Sequence, residues 1–555
     1  MDLNPIDGVK KAYHAIRSGI GDVGRAADSA EAGAGRAWDS FVRRVETLPP
    51  VTAADSLVDR VKRAQSQVPH EGPFLAPPEV PPLDQPAVAV RSGTPAELLP
   101  GEQSLTPGHP AIAVTLTGTE TADGQLTVKA AAPGTDWGQA GRESATMSVF
   151  VDGHYNQDLV LYGGATPTSY PVALGALPPG PHTITFAFNQ PGSTAGATGI
   201  TLQSAQVALS GQDEQGMVER YQPYLHGRGM DNIHSDVPLY MWAEVEHRGA
   251  DTLIHYNVIH SNEDGGTAAT PLVEQATWGR MTDPDPICTV TVGPDGQPKG
   301  VSYEGANDRF LEFKGRWEGD HPVLRVSTTN NDYSDQGSTP LLFRPRAEVQ
   351  HFGPGQSRED LMDRMPWMYR ICNEEVTREG KVMTDQQAST VLAQEGQPGF
   401  KPPTKLEDLR NYLYVQYGTG SGASPVAVEV KLKGRDQWFR SDLTEPQLDI
   451  GGPDLPPILQ HHFFSNLIPG LLRHFGYDVG ERSGDGIRTS VPLPPGAKAA
   501  DVESIRFVDQ GDRPVPFQGL EKAFMLDDQY EPHYLQAPAG AGTLRPGAPI
   551  TIQAT

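Results

Sequence analysis

The sequence predicts a mainly β, multidomain protein. β-Sandwich domains follow an N-terminal helical segment and precede a smaller mixed α/β C-terminal region. The first observation is the length of 555 residues, which exceeds one ordinary domain. The second is that Gly (60 residues) and Pro (51 residues) make up one fifth of the chain, well above average usage. The third is a series of short runs that alternate apolar and polar residues between turn signals, as strands do.

Residues 1–66 are predicted to be a helical adaptor segment. Their apolar residues recur at spacings of three and four and so share one helix face, namely Ile6, Val9, Tyr13, Ile16, Ile20 and Val23. Such an amphipathic helix could dock on the rest of the chain, bind a partner protein or a membrane surface, or serve as an export address. Residues 67–110 are rich in proline and are predicted to be an extended linker.

Residues 111–211 are predicted to be a β-sandwich of seven short strands. The run "VDGHYNQDLVLYGG" places a tight Asp152-Gly153 turn between two of them, and "LPPGPHTITFAF" leads from a turn into another. This pattern resembles the jelly-roll and immunoglobulin-like accessory modules of secreted, carbohydrate-active proteins. The resemblance implies a module that binds glycans or acts as a spacer. The chain lacks paired tryptophans in this region.

Residues 212–395 are predicted to be a β-rich domain that carries the functional site. Its runs 236–247 and 252–261 alternate around a four-residue loop, which predicts a hairpin. Pairing His247 with Thr252 sets Glu244 opposite His255. A carboxylate beside an imidazole suits general acid–base catalysis, and it is also an ordinary cross-strand pair. Glu244 and His255 are therefore the candidate catalytic residues.

A second candidate group precedes the hairpin in "YLHGRGMDNIHSD". His226, Asp231, His234 and Asp236 could ligate a divalent metal, although the segment lacks a standard zinc spacing. Further His, Asp and Asn residues follow at predicted strand ends, in "SNEDGG", "MTDPDP" and "STTNNDYSD". Binding sites commonly lie on loops at one end of a β-scaffold, so residues 212–350 are where we expect the function.

Residues 396–555 are predicted to be a mixed α/β domain with one apolar helical run, "LPPILQHHFFSNLIPGLLRHFGY". No P-loop, GxSxG or EF-hand motif occurs in the chain. Cys288 and Cys372 could form one bridge in an oxidising compartment, but two free, buried thiols are the favoured interpretation, because free Cys is often buried.

Charge and hydropathy limit the possible partners and locations of the protein. The net charge of −25 opposes binding to nucleic acid. No transmembrane segment and no signal peptide are predicted, which indicates a cytoplasmic protein or export by a non-classical route. Three hypotheses follow: a β-sandwich binding or structural protein with glycan, envelope or protein partners; a metal-assisted hydrolase with its site in 212–350; and an exported effector addressed by its N-terminal helices.

Overall fold

The computed structural model describes residues 73–228, 233–262, 270–305, 309–328, 331–353, 356–395, 397, 403, 405–419, 426–441, 484–509 and 514–554. By internal contacts the chain divides into Met1–Val68 and Pro69–Thr555. The predicted adaptor at 1–66 lies outside the described residues, as does the predicted apolar helical run of the C-terminal region.

The first architectural unit is a β-sandwich of two five-stranded sheets, ordered β1-β4-β9-β6-β7 and β2-β10-β5-β8 with β3 beside β10. All seven predicted strands are present, as β4 to β10. The Asp152-Gly153 turn joins β6 to β7, and both residues adopt left-handed backbones, as a type I′ hairpin requires. The strands are β1 (Val88–Val90), β2 (Ala96–Glu97), β3 (Gln103–Leu105), β4 (Ala111–Gly118), β5 (Ala122–Ala131), β6 (Thr146–Val151), β7 (His154–Val160), β8 (Thr168–Leu177), β9 (Gly180–Phe188) and β10 (Ile200–Leu209).

The prediction of a linker at 67–110 was wrong for residues 88–105. β1 pairs with β4, while β2 and β3 pair with β10, so the segment completes both sheets. Val90 and Leu105 are fully buried. The error has a physical reason: prolines between short extended pieces are as compatible with edge strands as with a linker.

The second unit is an eleven-stranded sheet, called the large sheet below. Its order is β20-β11-β18-β19-β15-β14-β13-β12-β21, with β16 beside β15 and β17 beside β18. The strands are β11 (Tyr224–His226), β12 (Pro238–Arg248), β13 (Asp251–His260), β14 (Asp283–Val292), β15 (Pro298–Gly305), β16 (Arg309–Glu312), β17 (Trp317–Glu318), β18 (His321–Val326), β19 (Tyr333–Ser334), β20 (Leu342–Phe343) and β21 (Ala347–Val349).

Five α-helices accompany these sheets in the part of the chain that is described. They are α1 (Glu214–Tyr221), α2 (Thr270–Trp278), α3 (Glu359–Arg364), α4 (Trp367–Arg378) and α5 (Asp385–Gln394). Asp213 caps α1 by accepting a hydrogen bond from the Gly216 amide, and Thr384 caps α5 in a capping box with Gln387. None of the described helices is long and apolar enough to cross a bilayer.

The C-terminal region forms two further sheets, β25-β22-β27-β28 with β29, and β24-β23-β26-β30. Rings from both sheets meet, since Phe507 lies 5.3 Å from Tyr417 and 4.5 Å from Phe517 between centroids. Described helix is limited there to two 3₁₀ turns, Leu409–Asn411 and Ala499–Asp501. The strands are β22 (Tyr412–Thr419), β23 (Val426–Leu432), β24 (Trp438–Arg440), β25 (Gly484–Pro492), β26 (Val502–Asp509), β27 (Val515–Leu526), β28 (Pro532–Tyr534), β29 (Gly542–Leu544) and β30 (Ile550–Gln553).

One contiguous core joins these sheets, since a single cluster of buried apolar side chains extends from Val90 to Ile552. The predicted boundaries at 211/212 and 395/396 therefore separate sheets but not hydrophobic cores. Cys288 and Cys372 are both buried and free, and burial raises the pKa of each thiol.

Deleting residues 1–66 is expected to leave the remainder folded, because Pro69–Thr555 is compact by its own contacts. Far-UV circular dichroism and a melting curve of the truncated protein check this. A melting temperature within a few degrees of the full chain is expected. Loss of cooperative melting would instead make the N-terminal segment part of the main core.

Candidate functional site: a polar centre at the strand ends of the large sheet

The hairpin of β12 and β13 has the predicted register, with Glu244 opposite His255 and His247 opposite Thr252. The loop is shorter than predicted. Arg248 also pairs with Asp251, which leaves a two-residue loop, and its Gly249 adopts a left-handed backbone. The ladder shifts at the other end, where His260 opposes Pro238. A bulge at this point separates His260 from Leu239, the partner that it would have if the register of Glu244 and His255 continued unbroken.

The imidazole of His255 does not hydrogen-bond to Glu244. Its Nδ1 lies 2.9 Å from the Thr289 hydroxyl on β14, and its Nε2 lies 3.4 Å from a carboxylate oxygen of Glu246. Glu246 is the diagonal neighbour on the same face, which a long side chain can reach as easily as the direct one. The His255 side chain is 37% exposed. These contacts are those of an ordinary polar pair on a solvated sheet face.

A different region of the large sheet concentrates polar residues. His260 at the end of β13 pairs with Asp283 at the start of β14, and Tyr333 at the start of β19 pairs with Gly305 at the end of β15. Val326 at the end of β18 also pairs with Tyr333. These strand termini therefore lie side by side on one side of the sheet, together with the start of β12. We call this row of termini, which runs across the strands, the strand-end edge.

Buried polar side chains meet at this edge, and we call them the polar centre. An Asn331 amide hydrogen is donated to Asp283 Oδ2 at 2.8 Å, and the same nitrogen lies 3.2 Å from the Asn262 carbonyl oxygen. Arg228 Nη2 donates to Asp236 Oδ2 at 2.6 Å, and both side chains are almost fully buried. The members of the polar centre are Arg228, Asp236, His260, Asn262, Asp283, Asn331 and Tyr333.

His260 and Tyr333 have unsatisfied polar atoms within the described structure. Their rings lie 6.3 Å apart between centroids, and their exposed fractions are 0% and 2%. Both ring nitrogens of His260 and the Tyr333 hydroxyl are buried without a hydrogen-bond partner among the described residues. Burial, reinforced by the Arg228 guanidinium, lowers the pKa of His260 to about 3. Burial and nearby carboxylates raise the pKa of Tyr333 well above its usual value. Both groups are therefore neutral at pH 7.

Two members of the polar centre have unusual backbones. Asp236 has φ +50° and Asn331 has φ +52°. They are two of the four non-glycine residues with positive φ in the part of the chain that is described. Asp and Asn tolerate this conformation better than other side chains, but it still costs free energy. Backbone conformations of this kind concentrate at ligand-binding and catalytic sites.

The predicted metal ligands have separate partners. His226 Nδ1 lies 3.0 Å from the Thr339 carbonyl oxygen, His234 Nδ1 lies 2.6 Å from the Ser144 hydroxyl, and Asp236 pairs with Arg228. Burial lowers the pKa of each histidine to about 4. No group of three or more His, Cys, Asp or Glu suited to a metal occurs among the described residues. Asp231 lies outside them, so the four-residue set stays a prediction.

The polar centre is only partly apparent in the sequence. The runs containing Asn262, Asp283 and Asn331 stand out as polar strand ends, but no spacing rule connects residues that lie up to 69 positions apart. His260 looks like one polar member of an apolar strand face. Its significance depends on the absence of hydrogen-bond partners among the described residues, which only a three-dimensional structure can show.

The His260→Phe variant is expected to gain stability over the wild type as the pH falls. The imidazole of His260 has a folded-state pKa of about 3, whereas the usual unfolded value is about 6.5. The wild type therefore loses stability as the pH falls below about 6.5, because the unfolded state then binds a proton that the folded state does not. The difference in unfolding free energy should therefore grow by about 1.4 kcal/mol per pH unit between pH 6 and pH 4.

Denaturant unfolding of both proteins at pH 7, 6, 5 and 4 measures this difference. Asp158 and Glu375 have pKa values raised by burial, to about 6 and about 7, and they affect stability in the opposite direction. Both groups are present in each protein, so their effects cancel in the comparison. A difference that does not change with pH would show that His260 titrates normally in the folded state.

Comparisons with known proteins add little beyond the fold. No protein-family model and no curated protein sequence matches the chain. Parts of the chain are similar to solved structures. A ruminal GH26 endo-β-1,4-mannanase is 15% identical over 19% of this chain and 19% of its own, with a TM-score of 0.14. This chain thus spans about a fifth of that enzyme's length.

Two other structures are matched over more of their own length. The CBM36-1 domain of a multidomain xylanase from the hindgut metagenome of Trinervitermes trinervoides is 15% identical over 21% of this chain and 98% of its own, with a TM-score of 0.17. Necrosis and Ethylene inducing Protein 2, from the causal agent of cocoa's witches' broom disease, is 12% identical over 25% and 74%, with a TM-score of 0.18. Carbohydrate-binding modules are thus among the similar structures, and at these scores the likeness carries no argument about function.

Proposed function

We propose that this protein is a binding protein whose ligand contacts the polar centre at the strand-end edge of the large sheet. The observation that carries the proposal is the pair of His260 and Tyr333, both buried and both with polar atoms that lack partners among the described residues. The sequence led us to expect the function in residues 212–350, and the proposal puts the ligand contact within that range, at the end of the β12–β13 hairpin beyond the catalytic candidates Glu244 and His255.

In a purely structural role this pair would be costly. A buried polar group without a partner costs about 1–3 kcal/mol, and an apolar side chain of the same shape would avoid that cost. Native proteins leave few such groups unsatisfied, and each exception calls for an explanation, such as an ordered water or ion or a functional role. The left-handed backbones of Asp236 and Asn331 add a second cost at the same place.

Binding fits these residues better than hydrolysis. A general base works best with a pKa near the operating pH, whereas that of His260 is about 3. Tyr333 is held neutral by burial and by the surrounding carboxylates, which makes it a poor nucleophile. Both side chains are therefore suited to hydrogen bonding and not to proton transfer. The hairpin residues Glu244 and His255 lack the contacts of a catalytic pair.

Ligand-induced thermal stabilisation tests the proposal. The full chain is screened against a panel of oligosaccharides, amino acids and nucleotides by differential scanning fluorimetry, beside His260→Phe and the matched control His255→Phe from the same strand. A binding compound should raise the melting temperature of the wild type and of His255→Phe, but not that of His260→Phe.

The variant is designed to stay folded. Phenylalanine is close in shape to histidine and removes the two unsatisfied nitrogens, so His260→Phe should be at least as stable as the wild type at pH 7. The absence of any stabilising compound from the panel would overturn the proposal. So would a compound that stabilises His260→Phe as strongly as the wild type.

A further inference from the structure

We infer that the ligand presents uncharged hydroxyl groups to the polar centre, as a neutral saccharide does. This inference rests on the proposed binding function and names the chemical class of the ligand. It follows from three side chains with buried polar atoms that lack hydrogen-bond partners among the described residues, and from the charges around them.

The first step is the balance of donors and acceptors. A neutral imidazole has one N–H donor and one acceptor nitrogen, so His260 offers both. The phenol of Tyr333 also donates and accepts. Asn331 uses its amide nitrogen on Asp283 and Asn262, and its Oδ1 is a buried acceptor without a partner among the described residues. A hydroxyl group both donates and accepts, so a set of hydroxyls can satisfy all three.

The second step concerns anions. Carboxylates of Asp283, Asp285 and Glu304 lie close enough to Tyr333 to raise its pKa. Arg228, the cation near His260, is already paired with Asp236. An anionic ligand would therefore meet like charges at one end of the centre. It would also offer acceptors only, which cannot satisfy Asn331 Oδ1.

The third step concerns cations. An ammonium group offers donors only, and it would leave the His260 N–H and the Tyr333 O–H without acceptors. The described residues also contain no group of three ligands suited to a metal ion. A neutral polyhydroxyl compound avoids both mismatches. Hydroxyls approaching His260 and Tyr333, whose ring centroids are 6.3 Å apart, would come from neighbouring positions of a sugar ring or from adjacent rings.

Calorimetric titration of the full chain with matched sugars tests the inference. Each neutral trisaccharide (xylotriose, cellotriose and mannotriose) is compared with a trisaccharide of glucosamine and one of galacturonic acid at 150 mM salt. A neutral sugar should bind at least about tenfold more tightly than either charged sugar, because each unsatisfied buried group costs about 1–3 kcal/mol.

The Tyr333→Phe variant removes one hydroxyl and keeps the ring. It should weaken binding of the neutral sugar about fivefold, the equivalent of one hydrogen bond of about 1 kcal/mol, while His255→Phe leaves binding unchanged. Tighter binding of the amine or the uronate sugar would overturn the inference and leave the binding function standing. The inference would also be overturned, and the binding function would still stand, if none of the neutral sugars bound but another compound of the panel did. The binding function itself would be overturned by the absence of any ligand, or by a ligand that stabilises His260→Phe as strongly as the wild type.

Discussion

Replacing Asp363 with alanine is expected to lower the unfolding free energy by about 3–5 kcal/mol, because it breaks a buried ion pair and leaves the opposite charge in the core. Asp363 accepts two hydrogen bonds from the Arg488 guanidinium, at 2.8 and 3.1 Å, one from the Tyr369 hydroxyl at 2.6 Å, and one from Lys522 at 2.5 Å. Arg488 is 2% exposed. The carboxylate thus connects α3 to α4 and to both β25 and β27. Urea denaturation at pH 7 measures the loss.

Asp320→Ala is the matched control for this change. Asp320 also pairs with an arginine, Arg220, at 2.7 Å, but both side chains are more than a third exposed. An exposed pair contributes about 0–1 kcal/mol, so this variant should be nearly as stable as the wild type. Equal effects of the two substitutions would show that burial of the Asp363 cluster does not determine its contribution.

Asp236→Asn is expected to lower the unfolding free energy by a similar amount, about 3–5 kcal/mol, because it removes the negative charge that pairs with the buried Arg228 guanidinium. The two side chains are buried, and the substitution removes the negative charge that accepts from Arg228. Asparagine tolerates a left-handed backbone, so the change isolates the charge from the conformation. Urea denaturation and the melting temperature both report the loss.

Asp152→Asn provides the control, because Asp152 has nearly the same φ, +51°. Its carboxylate pairs with His182 at 2.7 Å and is 44% exposed, so the amide should cost less than about 1 kcal/mol. A loss at Asp152 as large as that at Asp236 would mean that the backbone conformation, and not the buried ion pair, dominates both results.

The sequence predicts local structure well where the alternation of apolar and polar residues and the turn residues indicate the same strands. The alternation on both sides of the β12–β13 loop sets Glu244 opposite His255, because a slip by one residue would expose the apolar face. The seven sandwich strands follow from the same alternation and from turn residues such as Asp152-Gly153. These features depend on neighbours in sequence.

Features that depend on tertiary contacts were missed or misplaced. β1 to β3 have too little alternation to be distinguished from a linker, and they become strands because β4 and β10 offer free edges. The imidazole of His255 can reach either Glu244, which is directly opposite, or Glu246, which is diagonal to it, and the sequence does not indicate which carboxylate it contacts. Asp283 and Asn331 meet across 48 positions because β14 and β19 reach the same edge.

Nuclear magnetic resonance of the histidine ring nitrogens tests the central claim most directly, namely that the ligand contacts His260. The full chain, labelled with ¹⁵N-histidine, is titrated with whichever panel compound stabilises the wild type most, and the His260 signals are identified by their absence in His260→Phe. Binding is expected to shift both His260 nitrogens, which stay in the neutral form at pH 7, and to leave those of His255 unchanged. A saturating titration that moves the His255 signals and leaves His260 in place would contradict the account.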